Sequence, residues 1–315
     1  MTAQPKEKRL QSAGALLPLA VLATFLWGTA VPCVKLGYRL FAIESGDTPS
    51  QLLFAGARFL LAGALTLAFG AAAERRAPLP ARKNYGGILL LGLVQTVGQY
   101  VFFYVGLAHT TGSRGSIIDA SAAFIGVILA HFLCKGDRMT RGKALGCAVG
   151  FAGIVVLNLG GSLGGAFTFT GEGFMLLAAS SSALGAVVSA RVAPGNDPMS
   201  VTGWQLLAGG GVLSAAGALA GGSISPTGGA AWLLLLYMAA LSAVAFTIWT
   251  LLLKYHPVAR VSIFNSLIPV FGTLCSGLFL GEAIWRVQNL AALALVCAGI
   301  CIVNRAPGPR LQRKA

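Results

Sequence analysis

The chain has 315 residues, 56% of them hydrophobic and 10% charged, with a mean hydropathy of +0.78. Soluble domains carry roughly a quarter charged residues, so this composition excludes a soluble globular protein and indicates a membrane protein. The formal net charge of +14 is read as the mark of cytoplasmic loops rather than of nucleic-acid binding.

In chain order, the basic residues of segment 1–9 precede an apolar run at 16–37. A span of about 20 residues crosses a bilayer, and no soluble mature domain follows as it would after a cleaved signal. This run is therefore taken as the first membrane helix. Further runs follow at 51–73, 85–107, 113–134, 142–159, 173–193, 200–220, 231–253, 261–280 and 286–304, separated by turns bearing Gly, Pro or charge. Barrel strands would be alternating segments of roughly ten residues, whereas these runs are continuous and about twice that length. The expected fold is an all-α membrane protein of ten transmembrane helices.

Ten spans put both termini on one side. With the N-terminus inside, the cytoplasmic segments hold 18 of the 23 Lys and Arg residues. Arg39, Arg114 and Arg286 fall on the other side, and Lys35 and Arg58 fall inside helices. The bias predicts a multi-pass protein of the cell (cytoplasmic) membrane with both termini cytoplasmic.

A repeat runs through these spans. Residues 114–158 align without a gap on 260–304, pairing Arg114 with Arg260, Ser116 with Ser262, Gly126 with Gly272, Gly153 with Gly299 and Asn158 with Asn304. A duplication of five spans reverses the direction of the second copy. The expectation is two inverted repeats, 1–159 and 160–315, rocking about a site near the midplane, as in secondary transporters.

Four stretches stand out: Trp27-Gly28 with Lys35 in helix 1, Arg58 to Ala62 in helix 2, Asn265 to Phe271 in helix 9, and Leu280-Gly281-Glu282 at its end. Together they resemble the EamA-type ten-helix members of the drug/metabolite transporter superfamily. Helix 4 departs from the repeated pattern: Ala123 stands where helix 9 has Pro269, and it closes on Cys134 to Asp137. The resemblance implies a central cavity and the movement, more often outward, of small metabolites such as amino acids. Fold alone does not select the substrate.

Seven residues are candidates for substrate binding or coupling. On helix 9, Asn265 and Pro269 belong to a polar stripe with Ser262, Ser266, Thr273 and Ser276, which serves either as a helix contact or as a cavity lining. Pro269 leaves the carbonyl of Asn265 without its usual donor. Asp119 takes the place of Asn265 in helix 4; an ionisable residue inside a span is a proton carrier, a cation partner, or one half of a local pair with Arg114. Lys35 is close enough to a helix end to snorkel. Arg58 begins about 10 Å inside its helix at 1.5 Å per residue, too deep for that explanation. Gln99 in helix 3 and Trp249 in helix 8 offer a polar group and an aromatic wall. The glycines at 142, 146, 150 and 153 mark a close-packed face, within the molecule or between two copies.

The sequence Gly160 to Gly164 matches a nucleophile elbow but lacks its strand-to-helix context. His109, His131 and His256 lie on separate segments, so neither catalytic nor metal residues are assigned and no cofactor is expected. The spans leave no soluble nucleotide-hydrolysing domain between them, so a gradient of a proton, another ion or the solute is the expected energy source. The sequence is consistent with a monomer or a homodimer in the lipid bilayer, moving a small solute by alternating access. The competing reading is a membrane-embedded enzyme acting on a lipid or small metabolite.

Overall fold

The structure, a computed structural model, describes residues 13–75, 78–133, 138–159, 167–256, 258–282 and 285–305. The basic residues of 1–9, the helix end at Cys134 to Asp137 and the Gly160 to Gly164 loop lie outside them. Regular structure among the described residues is helical throughout. Ten spans follow one another: α1 (Ala13–Leu40), α2 (Thr48–Glu74), α3 (Arg82–Ala108), α4 (Gly112–Leu133), α5 (Arg141–Leu159), α6 (Phe169–Val192), α7 (Pro198–Leu219), α8 (Gly229–Tyr255), α9 (258–280) and α10 (Val287–Arg305). Six of them, α1 to α4, α6 and α8, are each long and apolar enough to cross a bilayer unaided. The protein is an all-α membrane protein with ten spans.

Local chemistry fixes where helices begin. Asp47 accepts the amide of Ser50 at 3.1 Å with Pro49 in the first turn of α2. Asp197 accepts the amide of Ser200 at 2.7 Å with Pro198 opening α7. An acidic cap followed by proline satisfies one free donor and removes another. The second helix of each half is thus started by the same device.

Packing repeats when helices five apart are exchanged. α1 packs on α9 as α6 does on α4, α1 on α8 as α6 on α3, and α2 on α8 as α7 on α3. The pairs α2 with α7, α5 with α10 and α4 with α9 map onto themselves. One hydrogen bond shows the relation at atomic scale. Arg58 Nε of α2 donates to Ser242 Oγ of α8 at 3.0 Å, while Thr96 Oγ1 of α3 donates to Gln205 Oε1 of α7 at 3.2 Å. Five spans per half reverse the second copy, so the two halves are inverted repeats.

The self-paired helices need their backbones close together. A Cβ at Gly210 would lie 2.6 Å from the amide nitrogen of Leu60, and one at Gly146 would lie 2.5 Å from the carbonyl oxygen of Gly299. Glycine on both sides removes the side-chain layer between the helices. Gly146 and Gly153 face α10, and Gly150 receives the ring of Phe124 from α4. This glycine face is therefore an intramolecular contact.

Three spans expected to be continuous α-helices are interrupted. α3 contains a π turn at Gly92–Gly98. α4 is broken at Ala120, between Gly112–Asp119 and Ser121–Leu133. α9 passes through a 3-10 turn, Ile263–Ser266, before Leu267–Leu280. In α9 the cause is legible: Pro269 has no amide to give the preceding turn, which tightens. In α4 the amide of Ala123 turns back to the Ala120 carbonyl at 3.1 Å, so the same turn tightens without a proline.

Polar contacts tie the two halves together at both ends of the bundle. At one end Glu282 accepts the amides of Gly112 and Ser113 at 2.8 and 2.9 Å and the Ser113 hydroxyl at 2.6 Å. A carboxylate there complements the positive end of α4. Glu172 holds the same turn from α6, through Arg114 at 3.2 Å and Thr110 at 3.0 Å. At the other end Asn84 donates to Asn196 at 3.0 Å, and Ser200 and Trp204 both donate to the Pro78 carbonyl at 3.0 Å.

The glycine seams give a direct test of the packing. Gly210→Val should lower stability by about 1–3 kcal/mol, the usual cost of overpacking. A Cβ at Gly86 would meet nothing within 4 Å, so Gly86→Ala should be neutral or slightly stabilising. Thermal unfolding of the two variants in detergent checks this; equal midpoints would contradict the seam.

Candidate functional site

A cavity lies where the two halves meet. Its walls come from α1 (Trp27, Ala30, Val31), α2 (Arg58), α3 (Gln95, Gln99, Tyr100, Phe103), α4 (Asp119, Ala122), α6 (Ser182, Ala183, Ala186), α8 (Phe246, Trp249) and α9 (Ser262, Asn265, Ile268). It has several times the room that one water needs. All three interrupted helices contribute: Gln95 sits in the π turn, Asp119 ends the first segment of α4, and Asn265 lies in the 3-10 turn. Irregular backbone at membrane depth is tolerated where it is buried in protein or lines a cavity.

Arg58 is 1% exposed. Its Nε donates to Ser242 Oγ at 3.0 Å and to the Met238 carbonyl at 3.3 Å, and Nη1 donates to Tyr104 Oη at 3.1 Å. The guanidinium lies 5.0 Å from the Phe59 ring centre and 5.9 Å from that of Tyr100, distances at which a ring face attracts a cation. All these partners are neutral. Nη2 is buried with no hydrogen-bond partner among the described residues.

Asp119 lines the same cavity and makes no hydrogen bond or ion pair among the described residues; its Oδ1 is buried and unpartnered. The local pair with Arg114 that the sequence leaves open is not formed, since Arg114 pairs with Glu172. Arg58 and Asp119 form no ion pair with each other. Tyr100 lines the cavity with both.

The remaining candidates divide. Gln99, Trp249 and Asn265 reach the cavity, where Gln99 Oε1 and Asn265 Oδ1 are again buried without partners. Trp249 meets Trp27 edge to face at 4.9 Å, and Trp27 meets Phe246 at 5.4 Å. Pro269 is buried but outside the lining, and shapes the turn that carries Asn265. Lys35 is half-buried outside the lining, with Glu282 in electrostatic reach. The stripe on α9 is split: Ser262 and Asn265 line the cavity, while Ser276 packs beside Gly112 of α4.

Sequence reasoning missed Tyr100 and Tyr104, and it noted Trp27 only as part of a motif. A signal existed for Tyr104. A buried guanidinium must find acceptors, and few side chains at that depth other than tyrosine and serine could supply them. For Tyr100 nothing in the sequence separates it from its aromatic neighbours.

A model described as the EamA-like transporter family matches residues 15–159 and 169–305. A WAT1-related chloroplastic protein of Arabidopsis thaliana is 30% identical, the match covering 92% of this chain and 70% of that one. A Salmonella typhimurium protein named "Probable amino-acid metabolite efflux pump" is 26% identical over 90% of this chain and 93% of its own. A solved crystal structure superposes with a TM-score of 0.69 at 24% identity, over 92% of this chain and 98% of the other, which supports the fold.

The Arg58 contacts predict a stability effect. Tyr104→Phe removes the acceptor of Nη1 and should cost about 1–3 kcal/mol, the usual penalty for a buried donor left unmade. Thermal unfolding measures it. An unchanged midpoint would mean that Arg58 is held by its other contacts alone.

Proposed function

The chain belongs to the EamA-like transporter family, within the drug/metabolite transporter superfamily, and on that premise we propose that it is a secondary transporter of a small polar metabolite such as an amino acid, working as an exporter by alternating access. One observation carries this reading: buried polar atoms of Trp27, Arg58, Gln99, Asp119 and Asn265, drawn from both halves, line one cavity without partners. Groups left unsatisfied at membrane depth are costly and mark solute or ion paths. A solute that bonds to them recovers that cost. The outward direction and the amino-acid class are supported by the name of the Salmonella relative.

Alternating access requires the polar contacts at the two ends of the bundle to open in turn. The Glu282 and Glu172 clamp on α4 would face one side, and the Asn84–Asn196 and Pro78 contacts the other. The basic-residue bias supports placing the latter, with both termini, on the cytoplasmic side of the cell membrane. Cysteines introduced beside Arg75 and Arg138 should then resist a membrane-impermeant reagent applied to intact cells. Labelling from outside would reverse the orientation.

Asp119 is the residue proposed for coupling to a proton. The charged or titratable groups that line the cavity with it are Arg58 and Tyr100. Asp119→Asn keeps the shape of the side chain and removes the exchangeable proton, so the transport that remains should lose its pH dependence. Reconstituted protein gives the test, by solute flux across liposomes at a series of pH values. Chemical conversion of the solute without flux would support a membrane-embedded enzyme instead, and an unchanged pH profile in Asp119→Asn would remove Asp119 from the coupling step.

A further inference from the structure

The cavity holds one buried cation and one buried acid that do not touch each other. Among the described residues Arg58 has neutral partners on Nε and Nη1 and none on Nη2. Asp119 has no hydrogen-bond or ion-pair partner among the described residues. Both side chains line the same cavity, together with Tyr100. The second half carries the neutral Gln205 where the first carries Arg58, and Gln205 makes the equivalent hydrogen bond to Thr96. Hydrogen bonding between these helices therefore does not require a charge at Arg58.

From this arrangement, and resting on the reading of the cavity as the solute site, we propose that the solute is a small zwitterion whose carboxylate is taken by Arg58 and whose ammonium is taken by Asp119. The argument is one of exclusion as much as of fit. A solute carrying only a carboxylate satisfies Arg58 but brings its negative charge toward Asp119; one carrying only an ammonium meets Arg58 in the same way. Like charges brought together in a site of low dielectric cost several kcal/mol. A neutral solute leaves both charges uncompensated, and a site built for a charged or hydrogen-bonding group rejects an analogue that lacks it. Only a dipole with both ends satisfies the two poles at once.

The rest of the lining suits such a molecule. Gln99 and Asn265 present amides that can turn to offer either a donor or an acceptor to the ends of the solute. Trp27, Phe246 and Trp249, packed edge to face, form an apolar wall against which an uncharged side group can lie. The cargo class is thus an amino acid with an apolar or aromatic side group. A dibasic or diacidic one would bring an extra charge against this wall.

Two matched series of probes test this on the unmodified protein in lipid nanodiscs: L-leucine with 3-methylbutylamine and 4-methylpentanoate, and L-phenylalanine with 2-phenylethylamine and 3-phenylpropionate. Ligand-induced thermal stabilisation reports binding. At least one zwitterion should raise the melting temperature, and its two singly charged analogues should bind at least about 100-fold more weakly. In Asp119→Asn the carboxylate-only analogue should bind as well as the zwitterion, and in Arg58→Gln the zwitterion should lose its advantage over the amine. Comparable binding of zwitterion and either analogue by the unmodified protein, or binding of neither zwitterion, overturns the inference. Flux measured with the same solutes separates this from failure of the site itself. Transport of a singly charged solute that is sensitive to Arg58→Gln or Asp119→Asn leaves the cavity as the site but not the dipole. Transport insensitive to both substitutions removes the cavity from the pathway as well.

Discussion

A polar group inside a bilayer has no water to bond to, so each one must find a partner in the protein or be paid for in stability. This constraint explains much of the molecule. Helices satisfy their own backbones, acidic caps and prolines tidy their ends, and serines and threonines bond back to carbonyls four residues earlier, as Thr24 does to Ala20 and Thr66 to Ala62. Where helices must approach closely, glycine removes the side chains between them. Single buried polar atoms without a partner among the described residues occur elsewhere too, as at Gln51 Oε1 and Ser214 Oγ, but those of Trp27, Arg58, Gln99, Asp119 and Asn265 gather on one cavity.

The inverted repeat supplies the cavity, and its imperfection supplies the chemistry. Two copies of a five-helix unit leave a space between them, walled by α1 to α4 of the first and α6, α8 and α9 of the second. The copies place interruptions at matching depths, Asp119 beside the break in α4 and Asn265 in the 3-10 turn of α9. Yet the first copy carries charge at Arg58 and Asp119 where the second carries Gln205 and Asn265. A symmetric frame with an asymmetric lining suits the alternating-access cycle and the two-ended solute proposed above.

Much of the frame was legible in the sequence because it rests on long-range averages. Ten apolar runs and the register shared by 114–158 and 260–304 each sum weak signals over many residues. Arg58, Asp119, Gln99, Trp249 and Asn265 stood out for a related reason: polar or aromatic residues are conspicuous within apolar spans, and the fold brings these five to one place. Other features depend on details that no average carries. The π turn of α3 and the break of α4 involve no proline, and the need of a buried Arg58 for acceptors pointed toward tyrosine and serine without selecting Tyr104. Lys35 and Pro269 were conspicuous for the same reasons as the others, yet they lie outside the lining, Lys35 near Glu282 and Pro269 behind Asn265.

The central claim is that this cavity opens to the two sides of the membrane in turn. Ala122 lines it, on α4 just beyond the break. In a cysteine-free background, Ala122→Cys should react with a small membrane-impermeant thiol reagent applied from either face of the bilayer, in right-side-out or inside-out vesicles, and a transported solute should slow the reaction from both. Reaction from one face only, with or without solute, would describe a fixed pocket and contradict alternating access.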